Sequence, residues 1–179
     1  ECLLKSVRSL ETGVTHFYMK KFANKSNEEL LDYISEFRDD NIFAVAQLMR
    51  NGVSIEKLHE VTMITSYFLE SVKKIIDMEQ TITNAKGDVK VLLDAKKMGF
   101  SDKFIAQLWG VSEIDIFNLR KGNNMFPAFK MVDTCHTNAY IPYFYSSYTG
   151  ETASRLTDKK KIVVLGAGPI RIGQGVEFD

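Results

Sequence analysis

Residues 99–122 of this 179-residue chain read GFSDKFIAQLWGVSEIDIFNLRKG, and this stretch decides the fold class. Two groups of apolar residues recur in it at the spacing of an α-helix. Ser101 and Ser112 precede the two groups, where a hydroxyl can accept a hydrogen bond from an N–H of the first helical turn. Gly110 and Gly122 follow them, where glycine commonly ends a helix. The stretch therefore predicts two short helices joined by a tight turn.

A helix pair of this kind is compatible with two functions. Its pattern resembles the helix-turn-helix of DNA-binding proteins, so a nucleic-acid-binding regulator centred on residues 99–122 is the alternative interpretation. Glu113 and Asp115 disfavour it, because a recognition helix offers its N-terminal residues to base edges beside phosphates. The favoured interpretation is a compact helical hairpin with Trp109 and Phe117 in its core.

The helical spacing extends back to the start of the chain. Ser26 and Glu29 form a capping box, Ser54 and Asp88 are further candidate caps, and the longest helix is predicted over residues 65–81. The apolar residues expected to face inward include Leu4, Val7, Leu10, Leu30, Ile34, Phe37, Phe43, Leu48, Leu58, Phe68, Leu69, Val72, Ile75, Ile76 and Leu92. Up to residue 122 the chain is therefore predicted to be all-α.

The pattern changes in the last third of the chain. Residues 139–148, AYIPYFYSSY, contain four tyrosines, and their aromatic side chains together with Pro142 favour an extended segment. The tyrosines could stack on single-stranded nucleic acid, but no basic residue interleaves them, which favours docking against a protein surface. Residues 162–165 are uniformly apolar, as in a buried parallel strand. The predicted fold class is mostly α: an irregular helical bundle with a C-terminal extended segment and one terminal β-strand.

A glycine-rich loop follows the terminal strand. Gly166 and Gly168 match the first two positions of the dinucleotide-binding fingerprint, but Arg171 stands at the third. Pro169 removes a backbone donor that could face a phosphate. The loop is therefore interpreted as a strand-to-helix turn, formed by Gly166, Gly168 and Pro169, that does not bind phosphate.

Composition excludes several classes of function. The chain has 23 basic and 23 acidic residues, so no net charge attracts it to nucleic acid or to a membrane surface. No apolar run approaches the length of a membrane span, and two cysteines, Cys2 and Cys135, indicate a reducing cytoplasm. His16, His59 and His136 lack metal-ligand spacing. We expect no catalytic, cofactor-binding or metal-binding residue in this chain.

Five segments together resemble the large subunit of carbamoyl phosphate synthetase. They are SVRSLETGV (6–14), TMITSYFL (62–69), the helix pair, FPAFKMVDTC (126–135) and VLGAGPIRIGQGVEFD (164–179). Thr65 and Tyr67 depart from that family, which usually has Asp and Trp there. The resemblance implies a helical oligomerisation domain over residues 1–150, a linker over residues 151–160, and the first strand and glycine loop of a truncated α/β domain over residues 161–179.

The resemblance also implies an activity for the intact protein. That protein would be an ATP-dependent ligase that makes carbamoyl phosphate from bicarbonate and glutamine-derived ammonia, for arginine and pyrimidine synthesis. It would use ATP, magnesium or manganese, and potassium, and its partners would be a glutaminase small subunit and further copies of itself. The 179-residue chain alone would be an inactive assembly segment that bridges the two synthetase halves and binds neither nucleic acid nor membranes.

The last residues of the chain would border the tunnel that carries carbamate between the halves. The resemblance assigns Arg171, Gly173, Gly175 and Glu177 to the tunnel side. Glycines keep a bore open because they have no side chain. The arginine could guide an anion, and the carboxylate could repel it or order water.

Overall fold

The computed structural model describes residues 1–10, 12–133, 139–140 and 142–163. Within these residues, nine helices precede a two-stranded antiparallel sheet. The helices are α1 (Cys2–Ser9), α2 (Lys20–Ala23), α3 (Asn27–Ser35), α4 (Asn41–Arg50), α5 (Ile55–Thr62), α6 (Ser66–Asn84), α7 (Val89–Met98), α8 (Asp102–Trp109) and α9 (Glu113–Gly122), and the strands are β1 (Ala128–Met131) and β2 (Phe144–Ser147). The predicted fold class, mostly α, is confirmed.

Local capping signals determine where most of these helices begin. The Ser26 hydroxyl accepts a hydrogen bond from the Glu29 N–H at 3.2 Å, and the Glu29 carboxylate accepts one from the Ser26 N–H at 2.8 Å. The other predicted caps, Ser54, Asp88, Ser101 and Ser112, also accept hydrogen bonds from the first turns of their helices. Gly99 and Gly110 end α7 and α8 in the left-handed conformation. The predicted N-terminal caps and Gly110 are therefore confirmed. Gly122 was expected to follow its helix but is the last residue of α9, and Asn123 is the C-cap.

The helices share one apolar core, with α6 near its centre. Helix α6 contacts α4, α5, α7 and α8, while α3 packs on α4 and α8 packs on α9. The Trp109 indole donates a 2.7 Å hydrogen bond to the carbonyl oxygen of Ile82, which ties α8 to the end of α6. The largest fully buried side chains are Leu4, Phe17, Phe22, Leu30, Leu48, Leu58, Leu69, Ile82, Leu92, Phe100, Ile105 and Ile116.

Four residues that were expected to face inward are exposed, and the prediction for them is wrong. Leu10 and Phe37 lie beyond the ends of α1 and α3, so the helical spacing no longer applies to them. Phe68 lies exposed in the first turn of α6. Phe117 is 42% exposed, because the neighbouring Ile116 takes the inward position on α9.

The sheet confirms part of the predicted extended segment. Strand β2 lies within residues 139–148, but its partner β1 was not predicted. Ala128 pairs with Ser147 and Met131 pairs with Phe144. Ile162 and Val163, from the predicted terminal strand, are exposed and belong to neither strand, and the rest of that strand lies outside the described residues. Among the described residues, no helix is both long enough and apolar enough to cross a membrane.

Candidate functional site

The predicted loop and tunnel residues cannot be placed among the described part of the chain. Gly166, Gly168, Pro169, Arg171, Gly173, Gly175 and Glu177 all lie outside it, as do Cys135 and His136. The assignments made for them stay predictions. The described residues instead present three local arrangements of interest: a buried ionic centre, a polar groove beside it, and an exposed aromatic surface.

The ionic centre is formed by Asp102 and two cations from neighbouring helices. Lys96 Nζ lies 2.7 Å from one carboxylate oxygen of Asp102. Arg120 approaches the same carboxylate through Nε, at 2.9 Å, and through Nη2, at 2.5 Å. Both cationic residues are 8% exposed. The single carboxylate therefore joins α7, α8 and α9 at a point shielded from water.

The protonation of this centre follows from burial and pairing. Burial alone would raise the pKa of Asp102, but hydrogen bonds from Arg120 and Lys96 outweigh it and hold that pKa below its ordinary value. Burial lowers the pKa of Lys96, and the Asp102 carboxylate opposes this shift. The carboxylate is therefore an anion, and it offsets part of the positive charge of Lys96 and Arg120.

Tyr148 connects the ionic centre to the sheet. Its hydroxyl oxygen accepts a 2.6 Å hydrogen bond from Arg120 Nη1, which also donates to the carbonyl oxygen of Met125 at 3.1 Å. Lys96 Nζ lies 5.1 Å from the centre of the tyrosine ring. Burial raises the pKa of Tyr148. The arrangement fastens the end of β2 to the helical bundle, which is a structural role.

The polar groove lies beside the ionic centre and has a volume of about 270 Å³. Ser147 donates a 2.9 Å hydrogen bond to Glu1, and Arg8 donates a 2.8 Å bond to the carbonyl oxygen of Gly99. Lys5 forms an ion pair with Glu1 at 2.7 Å. The charged side chains that line the groove are three cations and three carboxylates: Lys5, Arg8, Lys96, Glu1, Asp102 and Glu113. Because these charges balance, the groove has no charge preference for a ligand.

An exposed aromatic surface lies where α3, α4, α5 and α6 meet. We call it the aromatic face, and it consists of Phe37, Ile42, Met63, Ile64, Tyr67 and Phe68. A groove of about 280 Å³ includes Phe37, Ile42 and Ile64 in its lining, and a smaller one of about 40 Å³ includes Ile42, Ile64 and Phe68. The two grooves adjoin, because they share Ile42 and Ile64. The Tyr67 and Phe68 rings contact each other edge to face, with centroids 5.4 Å apart.

Sequence reasoning missed the aromatic face as a functional candidate. Helical periodicity assigned Phe37 and Phe68 to the core, and Tyr67 was noted only as a departure from a motif. One signal was available: two adjacent aromatic residues, Tyr67 and Phe68, cannot both face inward on a single helix. The sequence alone could not show that residues from several helices come together in the aromatic face.

The tyrosine segment has basic neighbours that the sequence did not place beside it. Arg155 lies 4.3 Å from the centre of the Tyr140 ring, and Lys5 lies 5.9 Å from that of Tyr145. No basic residue is interleaved with these tyrosines in the sequence, as stated above, but the fold brings basic residues from outside the segment to these two rings. These contacts place a cation from the same chain against the rings of Tyr140 and Tyr145.

The helix pair has the predicted arrangement. Ser112 and Asp115 form a capping box at the start of α9, so their polar groups are engaged with each other. Glu113 and Ile114 are exposed in the same turn. Trp109 is buried as predicted. The acidic start of α9 is unsuited to phosphates, and nucleic-acid binding remains an untested alternative.

The two described histidines are structural in their contacts. The His16 ring stacks on Phe104, with centroids 3.6 Å apart, and burial together with the charge of Arg50 lowers its pKa to about 4. His59 Nδ1 lies 2.7 Å from the carbonyl oxygen of Ile64. In the described ranges, no three His, Cys, Asp or Glu side chains are grouped so that they could hold a metal ion.

Comparison with known protein families identifies the helical part of the chain. The family model described as carbamoyl-phosphate synthetase large chain, oligomerisation domain, matches residues 1–124. The match covers all nine helices of the described chain and ends two residues after α9. The ionic centre and the aromatic face lie within the matched residues. Tyr148, which connects the ionic centre to the sheet, lies outside them.

Proposed function

Because the chain belongs to the family of carbamoyl-phosphate synthetase large-chain oligomerisation domains, we propose that it is the assembly segment of an ATP-dependent ligase. The ligase makes carbamoyl phosphate in the cytoplasm from bicarbonate, glutamine-derived ammonia and ATP. The segment takes no part in the chemistry, and it supports association of the large chain with other copies. The observation that carries this proposal is the coincidence of the matched residues with the helical part of the chain.

The proposal includes a bridging role between two synthetase halves. A rigid bundle suits this role, because the distance between two active sites is preserved only if the connecting element does not deform. The ionic centre supports rigidity, since Asp102 joins three helices through Lys96 and Arg120. Tyr148 extends the same network to the sheet, which precedes the proposed linker over residues 151–160.

The cofactors and further partners belong to the intact ligase. ATP, magnesium or manganese, and potassium are proposed to bind in the synthetase halves, and ammonia is proposed to come from a glutaminase subunit. The end of the chain is proposed to reach the carbamate tunnel, with Arg171, Gly173, Gly175 and Glu177 on its side. The support for these residues is their match to the opening motif of a second synthetase half.

Deleting the family-matched residues from the intact large chain tests the assembly role. We expect the deletion form to retain bicarbonate-dependent ATP hydrolysis, because that reaction takes place within one half. Carbamoyl phosphate synthesis from ammonia should fall, because the two halves are no longer held in register. The 179-residue chain by itself should show neither activity. Full synthesis by the deletion form, or magnesium-dependent synthesis by the isolated chain, would contradict the proposal.

A further inference from the structure

We propose that the aromatic face is the surface through which two copies of this chain associate, an inference that rests on the proposed assembly function. The aromatic face consists largely of apolar side chains that remain exposed to solvent in the folded chain. Phe37 is fully exposed, Tyr67 is 73% exposed and Phe68 is 59% exposed. Contiguous exposed apolar surface of this kind is typical of sites that bind another protein.

The backbone at Met63 gives an independent indication of function. Met63 ends α5 in the left-handed conformation, with φ of 58°, and its side chain is 74% exposed. Glycine adopts this conformation without strain, and it occupies the corresponding position after α7 and α8. A methionine here costs stability and contributes little burial within one chain. If a partner chain covers the Met63 side chain, its burial in the interface offsets the cost of the backbone strain.

A second copy is the occupant that the surface fits. The family description names oligomerisation as the role of this domain. The chain has no net charge, so two copies do not repel each other. Beside the larger groove, Glu36 and Arg38 form an exposed ion pair, and Asp39 lines the groove with Arg38. Both signs of charge therefore stand at one rim, so the rims of two copies can form opposite-charge pairs in a twofold contact.

The aromatic face has both a groove and protruding side chains, so two copies of it can fit together. A groove of about 280 Å³ lies directly beside protruding aromatic side chains. In a twofold contact, each copy presents the same ridge and the same groove, so the ridge of one can enter the groove of the other. Phe37 and Phe68 are the natural anchors, because buried aromatic residues dominate the binding energy of protein interfaces.

Sedimentation velocity of the chain over a range of concentrations tests the inference. We expect a reversible dimer, and we expect the Phe68→Glu substitution to raise its dissociation constant at least tenfold, equivalent to about 1.4 kcal/mol. Phe126→Glu is the matched control. Phe126 is 58% exposed against 59% for Phe68, and it lies between α9 and β1, outside the matched residues. The control should leave the dissociation constant unchanged.

Each outcome decides the inference. If both variants dimerise like the unmodified chain, or if the chain is monomeric at every concentration, the aromatic face is not the self-association surface. Neither result touches the assembly role, which the deletion experiment on the intact ligase tests separately. If circular dichroism shows that Phe68→Glu is unfolded, Tyr67→Glu replaces it, with Tyr143→Glu as its control. Tyr67 and Tyr143 are 73% and 69% exposed.

Discussion

Arg120 and Asp102 form a two-point contact, in which Nε and Nη2 of the guanidinium both donate to the carboxylate, at 2.9 and 2.5 Å. We expect Arg120→Ala to lower the free energy of unfolding by about 3 kcal/mol, because it leaves a buried carboxylate with only Lys96 as a charged partner. It also removes the donor to Tyr148. Urea denaturation followed by circular dichroism measures the change.

A surface ion pair supplies the control for this prediction. Lys97 and Asp94 are 3.8 Å apart on the exposed side of α7. Lys97→Ala should change the free energy of unfolding by less than about 0.5 kcal/mol, because water screens such pairs. Equal effects of the two substitutions would show that the ionic centre does not fasten the helices.

The partly buried ring of His16 should make stability depend on pH. Burial and the nearby charge of Arg50 lower its pKa from 6.5 to about 4 in the folded chain. The unfolded chain therefore binds a proton on His16 at a higher pH than the folded chain does, so stability falls as the pH drops from 6.5 to about 4. Between pH 7 and pH 5 we expect this residue to contribute a loss of about 1 kcal/mol, after allowing for the solvent-accessible part of the ring.

Two substitutions isolate the contribution of His16. His16→Gln should reduce the loss of stability between pH 7 and pH 5, because the residue no longer titrates. His59→Gln should leave that loss in place. The comparison uses urea denaturation at both pH values, and a pH dependence that is the same in the His16→Gln variant would refute the assignment.

The sequence predicted what depends on neighbours along the chain. Ser26, Asp88 and Ser112 cap their helices through hydrogen bonds to residues two or three positions ahead, so their sequence context is sufficient. It did not predict contacts between distant residues. The cation beside Tyr145 is Lys5, from the first helix, and β1 is recognisable as a strand only beside β2. Such pairings depend on the tertiary fold rather than on local preference.

The aromatic face illustrates the same limit. Counting at helical spacing assumes that a helix continues, and α3 ends at Ser35, two residues before Phe37. Phe68 has the correct spacing for the core, but α6 begins only at Ser66, and the other helices do not cover its first turn. Two of the four errors in predicting the core, at Phe37 and Phe68, therefore fall on residues of the candidate interface, and the other two, at Leu10 and Phe117, lie outside it.

The tunnel assignment predicts a specific uncoupling in the intact ligase. If Gly175 borders the tunnel as proposed, Gly175→Phe would project a phenyl ring into it. Bicarbonate-dependent ATP hydrolysis should persist, while carbamoyl phosphate synthesis from ammonia should fall, because carbamate cannot pass to the second half. Synthesis of ATP from carbamoyl phosphate and ADP should be much less affected, since the second half carries it out alone.

The three activities, measured on one folded variant, separate a tunnel from simple packing. If Gly175 only allows a helix to pack on a strand, the substitution should lower the free energy of unfolding and impair the local reaction of the second half as well. Parallel loss of all three activities, or loss of none, would refute the tunnel assignment.

We expect the Met63→Gly substitution to have opposite effects on the stability of the chain and on its association. Met63→Gly relieves the left-handed strain at the end of α5, so the free energy of unfolding should rise by about 0.5–1 kcal/mol. The same change removes an exposed apolar side chain from the aromatic face, so the dimer should dissociate more readily. Denaturation of the monomer at low concentration and sedimentation velocity measure the two quantities separately. A variant that is more stable and dimerises as tightly as the unmodified chain would show that Met63 has no contact in the dimer. A variant that is less stable would show that the methionine contributes to the fold itself.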